Sequence, residues 1–275
     1  MGGAPITLSL DRGKDYTAIA MRQPPLILLH AVTRDRHDFT PFLPHLPAVR
    51  PMPVDLPGHG EAARAPRYTI ADYAAGVVLP DEPAILYGHS LGGMVALRIA
   101  ATHPGRVRAL VLEDPPLFDS RQPRLDETPW ADEFRKLKSI LIGRGAGFTV
   151  ADWKRAVAAW PSGHGTATIE AHGGADAVAR RARQIAALDP AVLDDIVSHE
   201  LHDGFEVRPS LVAAGCPVIV LVGNRSLGSG LSEADVQLLA GEPNVRIVRA
   251  PKTGHYIHEA EPELSARAVA DALAG

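Results

Sequence analysis

Short, continuously apolar runs separated by longer amphipathic stretches set the tightest limit on how this chain folds. Residues 26–29 (Leu-Ile-Leu-Leu), 52–54 (Met-Pro-Val), 84–87 (Ala-Ile-Leu-Tyr), 110–112 (Leu-Val-Leu) and 218–222 (Val-Ile-Val-Leu-Val) present apolar side chains to both sides. Residues 245–248 add a sixth, weaker run. Such runs are strands buried on both faces, a state that requires helices above and below a sheet. Helical stretches fall between them: 70–79 after Thr69 as N-cap, 91–102 before Pro104-Gly105, 233–240 before Gly241, and 262–273. The alternation predicts an α/β fold with a mostly parallel twisted sheet and helices on both faces. An opening hairpin is expected over residues 6–21, where two apolar runs flank Asp-Arg-Gly-Lys-Asp.

The alternation stops between Pro115 and Pro209. Helical pieces follow instead, at 130–142, 149–160, 175–188 and 191–197. We therefore expect a core domain built from residues 1–114 and 210–275, with residues 115–209 inserted as a helical lid. All three tryptophans and four of the six phenylalanines fall in that insertion. Aromatic surface over a site suits an apolar or aromatic small molecule, which makes Trp130, Trp153, Trp160, Phe118 and Phe134 candidates for substrate binding. The same residues also serve a small helical subdomain that needs its own core.

Charge narrows the classes of partner. The net charge is −4 and no run of Lys or Arg occurs, so the chain lacks the electrostatic footprint for nucleic acid or an anionic membrane surface. A small molecule is the expected partner; oligomeric state is not readable. The single cysteine, Cys216, excludes an internal disulfide and reads as a packed thiol. No run of 18 apolar residues occurs and no signal-peptide pattern opens the chain, so a cytoplasmic location is expected.

Chemistry concentrates in Gly88-His89-Ser90-Leu91-Gly92, which stands between an apolar strand and a helix. A turn this tight forces the serine into a strained backbone, and its flanking glycines leave room where a Cβ would collide. The hydroxyl of Ser90 then stands at the carboxyl edge of the sheet, with the positive end of a helix behind it. A serine needs an imidazole to take its proton. His255 is favoured, because a loop leaving the carboxyl edge of the last strand faces the serine; His258 is the runner-up. His89 is turned away by alternation, and His59 is a candidate for the pocket wall. His199 and His202 lack a third ligand at metal-binding spacing, so no metal is expected.

The motif set resembles the α/β-hydrolase superfamily. Leu28-Leu29-His30-Ala31 is similar to the family's strand-ending His-Gly, Asp55-Leu56-Pro57-Gly58-His59-Gly60 to its next loop, and Gly254-His255 to its catalytic histidine motif. The resemblance covers nearly the whole chain except the lid and implies the α/β-hydrolase fold. It also implies an oxyanion hole from the backbone N–H of Leu91 and of Val32 or Ala31, with Ala31 replacing the family's glycine. The family's usual acid position, in a G-x-x-D segment, is Ser226 here. Some relatives carry the acid one strand earlier, where this chain has Glu113-Asp114. Asp114 is favoured, Glu113 is the alternative, and Glu233 or Asp235 follow. Only one of the adjacent pair can reach His255, because side chains alternate across a strand.

That acid placement resembles the lactone-cleaving zearalenone hydrolases. The resemblance implies a cofactor-free serine hydrolase acting on a carboxylic ester or lactone through an acyl-enzyme. Serine at position 90 counts against the epoxide hydrolases and haloalkane dehalogenases of the fold, which use aspartate there. Carbon–carbon bond hydrolysis and perhydrolysis use the same serine and histidine and stay open. So does a non-catalytic ligand-binding protein, motivated by Ser226.

Overall fold

The computed structural model describes residues 23–121, 123–144, 147–163, 167–198 and 200–275. The hairpin expected at 6–21 lies outside them. The described strands are β1 (Pro25–Leu29), β2 (Arg50–Val54), β3 (Ala84–His89), β4 (Val107–Glu113), β5 (Val218–Gly223) and β6 (Val245–Ala250). They form one sheet in the order β2-β1-β3-β4-β5-β6, and every neighbouring pair is parallel. The helices are α1 (Ile70–Ala75), α2 (Leu91–Thr102), α3 (Pro129–Arg144), α4 (Val150–Val157), α5 (Ile169–Ala187), α6 (Val192–Val197), α7 (Val207–Ala214), α8 (Glu233–Ala240), α9 (Ile257–Ala260) and α10 (Pro262–Ala274).

Alternating side chains of the central strands build two cores. Ile27, Leu29, Leu86, Leu110 and Val220 pack with Val95 of α2 and Leu211 of α7 on one face. Leu26, Leu28, Ile85, Val111 and Leu221 pack with Val269 of α10, Phe39 and Phe42 on the other. Winding reverses at β1, since β2 lies on one side of it and β3 on the other. The loops leaving the carboxyl ends of β1 and β3 therefore diverge and open a crevice, the place where sheets of this kind bind ligands.

Local sequence explains where the helices depart from expectation. Thr69 and Asp72 form a capping box at the start of α1, but the helix ends at Ala75 rather than 79. Gly76 caps it, and a Cβ there would stand 2.6 Å from Pro57. α5 begins earlier than expected and is kinked at Gly174 (φ 62°, ψ −160°), a conformation that glycine adopts without strain. α7 runs through Pro209, where the sequence pattern predicts a boundary. Proline in the first turn costs no helical hydrogen bond, and Val207, Leu211 and Ala214 bury one face.

α3 to α6 lie in the segment between β4 and β5. Leu86 sits in the central strand with no exposure, whereas Leu238 of α8 is 62% exposed. Leu86→Ala is expected to lower the free energy of unfolding by about 2–5 kcal/mol, and Leu238→Ala to change it by less than about 0.5 kcal/mol. Urea denaturation, read as a shift in midpoint at constant slope, checks both.

Candidate active site

Three non-glycine residues among those described have positive φ: Thr33 (64°), Ser90 (55°) and Asp114 (44°). They follow the carboxyl ends of β1, β3 and β4, which are adjacent in the sheet. Such strain persists only where surrounding bonds over-determine the backbone. The Ser90 N–H donates to Glu113 O at 2.9 Å, while its carbonyl accepts from Gly93 N at 2.9 Å. A Cβ on Gly88 would stand 2.2 Å from Gly92 O, and one on Gly92 would stand 2.0 Å from Leu29 O. Both positions accept only glycine, so β3, the turn and α2 close as tightly as the motif required.

Ser90 opens onto a cavity of about 620 Å³ whose wall includes Val32, Leu91, Trp130, Phe134 and His255. His255 Nδ1 lies 2.7 Å from Asp114 Oδ2, and Asp114 is wholly buried. Three further donors grip that carboxylate: Gly230 N at 2.7 Å on Oδ2, with Ser229 Oγ at 2.6 Å and Gly223 N at 3.3 Å on Oδ1. An acceptor so fully engaged fixes the ring of His255 with its Nδ1 proton toward Asp114 and its Nε2 face free for the cavity.

Glu113 goes the other way. It shares a sheet face with Tyr87 and His89, and accepts from Tyr87 Oη at 2.7 Å, Ile257 N at 2.6 Å, and His258 N at 2.9 Å. His258 Nδ1 lies 2.8 Å from its second oxygen. Glu113 is therefore not a partner of His255. His258, the alternative base, has a wholly buried side chain and does not line the cavity. Asp235 caps α8 through Ser232 and pairs with Arg124 at 2.8 Å, and Glu233 pairs with Arg249 at 2.7 Å, so neither is near His255. Ser226 donates to Asn224 Oδ1 at 2.8 Å on the cavity wall.

The loop carrying Ala31 and Val32 is braced by two histidines that sequence reasoning did not assign this work. His30 Nδ1 donates to Ala31 O at 2.8 Å, so its Nε2 accepts from Leu56 N at 3.0 Å. His59 Nδ1 donates to Pro57 O at 2.9 Å, and its Nε2 accepts from Thr33 N at 3.2 Å. Each loop thus holds the other through a ring, and the rings meet edge to face at 4.9 Å. Burial lowers the pKa of both, His59 to about 3, so they stay neutral and keep these tautomers. His59, a candidate for the pocket wall, lies beneath it instead, because its ring is spent on Thr33. Ala31, Val32 and Leu91 all border the cavity, and Leu91 opens α2, where the first N–H groups lack helical acceptors.

The aromatic residues divide. Trp130 and Phe134 line the Ser90 cavity, and the Trp130 ring lies 6.3 Å from that of His255. Trp160 lines an adjoining cavity of about 740 Å³. Trp153 is a correction: it is 4% exposed and packs against Phe148 at 4.9 Å and Trp160 at 6.3 Å. α4 is a two-turn amphipathic helix, and its buried stripe, Trp153 and Val157, makes the core of the inserted segment. Phe118 packs against the main core and lines neither cavity.

Asp38, His89 and His258 bring one ligand atom each within 4.8 Å of one another. His89 Nε2 donates to His255 O at 3.0 Å. Burial disfavours a charged His258, but Glu113 overrides it and raises the pKa to about 9, which leaves Nε2 protonated and without a lone pair for a cation. His202 lies 2.9 Å from Ser120 Oγ, and His199 falls outside the described residues. Cys216 is buried in the core, where desolvation pushes its thiol up to about 11.

The sequence profile described as alpha/beta hydrolase family matches residues 26–269. A pimeloyl-[acyl-carrier protein] methyl ester esterase of Neisseria meningitidis serogroup B is 47% identical over 87 residues, 31% of this chain and 34% of that protein. Lipase LipV of Mycobacterium tuberculosis is 38% identical over 95 residues, 33% of this chain and 36% of the lipase. The chain thus spans about a third of the length of these curated relatives. A crystal structure of a hydrolase from Pseudomonas aeruginosa PA01 superposes with a TM-score of 0.67 at 21% identity, over 93% of this chain and 92% of that one. That likeness establishes the fold alone.

The buried Glu113–His258 pair carries a pH signature. Burial opposes ionisation of Glu113, but the charge of His258 lowers its pKa from 4.5 to about 2, while His258 rises from 6.5 to about 9. The stabilisation is full between pH 4.5 and 6.5, is lost as pH rises through about 9, and is lost again as pH falls through about 2. His258→Leu, which leaves the carboxylate buried and unpaired, is expected to cost about 3–5 kcal/mol near pH 6. Urea denaturation at intervals up to pH 9.5 should show the wild-type slope above pH 6.5 flattened in the variant.

Proposed function

This chain belongs to the alpha/beta hydrolase family, and from that premise we propose that it hydrolyses a carboxylic ester or lactone of a small, largely apolar molecule through an acyl-enzyme on Ser90. One observation carries the reading: a buried carboxylate, Asp114, holds His255 at 2.7 Å in the wall of the cavity onto which Ser90 opens. The esterase and the lipase among its relatives support ester chemistry.

In this reaction Ser90 Oγ attacks the substrate carbonyl while His255 Nε2 takes its proton. Asp114 keeps the imidazole in the Nδ1–H tautomer and stabilises the imidazolium that forms. Charge developing on the carbonyl oxygen is met by the backbone N–H of Leu91 and of Val32. The alcohol leaves with the proton from His255, and water returns through the same base to release the acid. The His30–His59 braces matter here, because a donor displaced by a fraction of an ångström loses much of its effect on the transition state. Trp130, Phe134 and the helical segment 115–209 would act as a lid that packs the apolar part of the substrate and excludes water. The position of Asp114 supports turnover over non-catalytic binding, since the residue after β4 offers His255 the carboxylate that Ser226 lacks.

A fluorophosphonate is expected to label Ser90 in folded wild-type protein and to leave Ser90→Ala unlabelled. On short acyl esters and an aromatic lactone, Asp114→Asn should lower kcat about 10⁴-fold through the wrong tautomer, and Glu113→Gln far less. Wild-type protein that turns over none of the panel and resists labelling would overturn the hydrolase reading.

A further inference from the structure

Arg181 of α5 borders the Ser90 cavity and the adjoining larger one, and the two share Glu133, Leu137, Pro161, Arg181 and Tyr256 in their walls. Apart from His255 and Tyr256, the ionisable side chains among the described residues in the wall of the Ser90 cavity are Arg181 and Glu133. Glu133 sits on the exposed face of α3, whereas Arg181 is half-buried. Its guanidinium donates from one terminal nitrogen to Thr33 O and from the other to Thr33 Oγ1 at 3.0 Å, which uses two of its five N–H donors.

Arg181 has no direct counter-ion among the described residues. The nearby acids serve Arg34 instead, Asp38 at 3.2 Å and Glu259 at 3.9 Å. Desolvation and the like charge of Arg34 outweigh the favourable charges of Tyr256, Asp38 and Glu259 and bring the pKa of Arg181 down to about 10, the direction expected of a cation short of compensation. A partly desolvated charge of this kind opposes folding unless something binds it. Arg181 borders a cavity whose wall also holds the exposed Glu133 and is otherwise formed largely by Trp130, Phe134, Met94, Leu125 and similar side chains.

We infer that Arg181 is an anchor for a carboxylate carried by the substrate, so that the favoured esters or lactones bear a free acid group at one end and an apolar body between it and the reacting carbonyl. The inference rests on the hydrolase reading for its chemistry, and on the cavity wall for its geometry. A carboxylate matches the planar guanidinium fork and its single charge; a phosphate dianion would leave half of its own charge uncompensated in the same apolar surroundings. Arg181 has a second duty as a positioning residue, because its bonds to Thr33 brace the loop of Val32. Loss of the brace slows all substrates, whereas loss of the anchor slows only the acids.

The test compares substrates that differ in one charge: para-nitrophenyl monoesters of succinic and glutaric acid against para-nitrophenyl butyrate and valerate, and para-acetoxybenzoate against its methyl ester. Wild-type kcat/KM for the acid of at least one pair should exceed that of its neutral partner by about tenfold or more, mainly through KM. In Arg181→Gln that ratio should fall to about one, and Arg181→Lys should restore part of it. Equal wild-type constants within every pair, or a ratio unchanged in Arg181→Gln, overturns the anchor. Preference for para-acetoxyphenyl phosphate over para-acetoxybenzoate overturns the carboxylate assignment. If no ester is turned over, the hydrolase reading fails on its own. Calorimetric binding of para-acetoxybenzoate to wild type, lost in Arg181→Gln, then decides the anchor separately, and absence of binding overturns it.

Discussion

The strained turn at Ser90 is the constraint on which the rest of the site depends. A residue with φ of 55° between a strand and a helix leaves no space for side chains at Gly88 and Gly92, whose notional Cβ atoms would enter the backbone of α2 and β1. The turn therefore packs β1, β3 and α2 together at one point. The same conformation recurs at Thr33 and Asp114, so three neighbouring strands all end in strained residues at the same edge. None is held by its own preference. Thr33 is held by His59 and Arg181, Ser90 by Glu113 O and Gly93 N, and Asp114 by Leu221 O through its N–H and by four donors at its carboxylate. Strain of this kind is affordable only against a rigid sheet, and the two fully buried cores provide one.

Two adjacent carboxylates at the end of β4 are separated by the pleat and by the turn that follows. Glu113 shares its face with Tyr87 and His89 and is consumed by His258 and two backbone amides. That pair pins α9, which begins two residues after His255 in the chain. Asp114 turns out of the strand toward His255. One acid thus anchors the loop on which the histidine rides, and the other orients the ring itself. Removing either disturbs His255, but only Asp114 touches it.

The fold was legible because burial on both faces leaves an unmistakable mark on the inner strands: short apolar runs, separated by amphipathic helices. The serine turn and the histidine after the last strand were legible for a similar reason, since glycine spacing and loop position are local properties of the chain. Legibility failed where identity depended on distant partners. Trp153 and Trp130 are the same residue type in neighbouring helices, yet one fills the core of the inserted segment and the other faces His255. His59 carried a family-like motif without any sign that its ring would be spent on Thr33, 26 residues away.

By itself the sequence determined the parallel α/β architecture, the nucleophile-like placement of Ser90 and the short list of acids, because periodicity, glycine geometry and alternation act over a few residues. Only tertiary structure decided that Asp114 and not Glu113 meets His255, that Ser229 and Gly230 grip the same carboxylate from 115 and 116 residues away, and that Arg181 stands beside the cavity with no direct counter-ion among the described residues. These outcomes are set by how loops from separate strands meet at one edge of the sheet, and the distances between such loops are not encoded in any local pattern of residues.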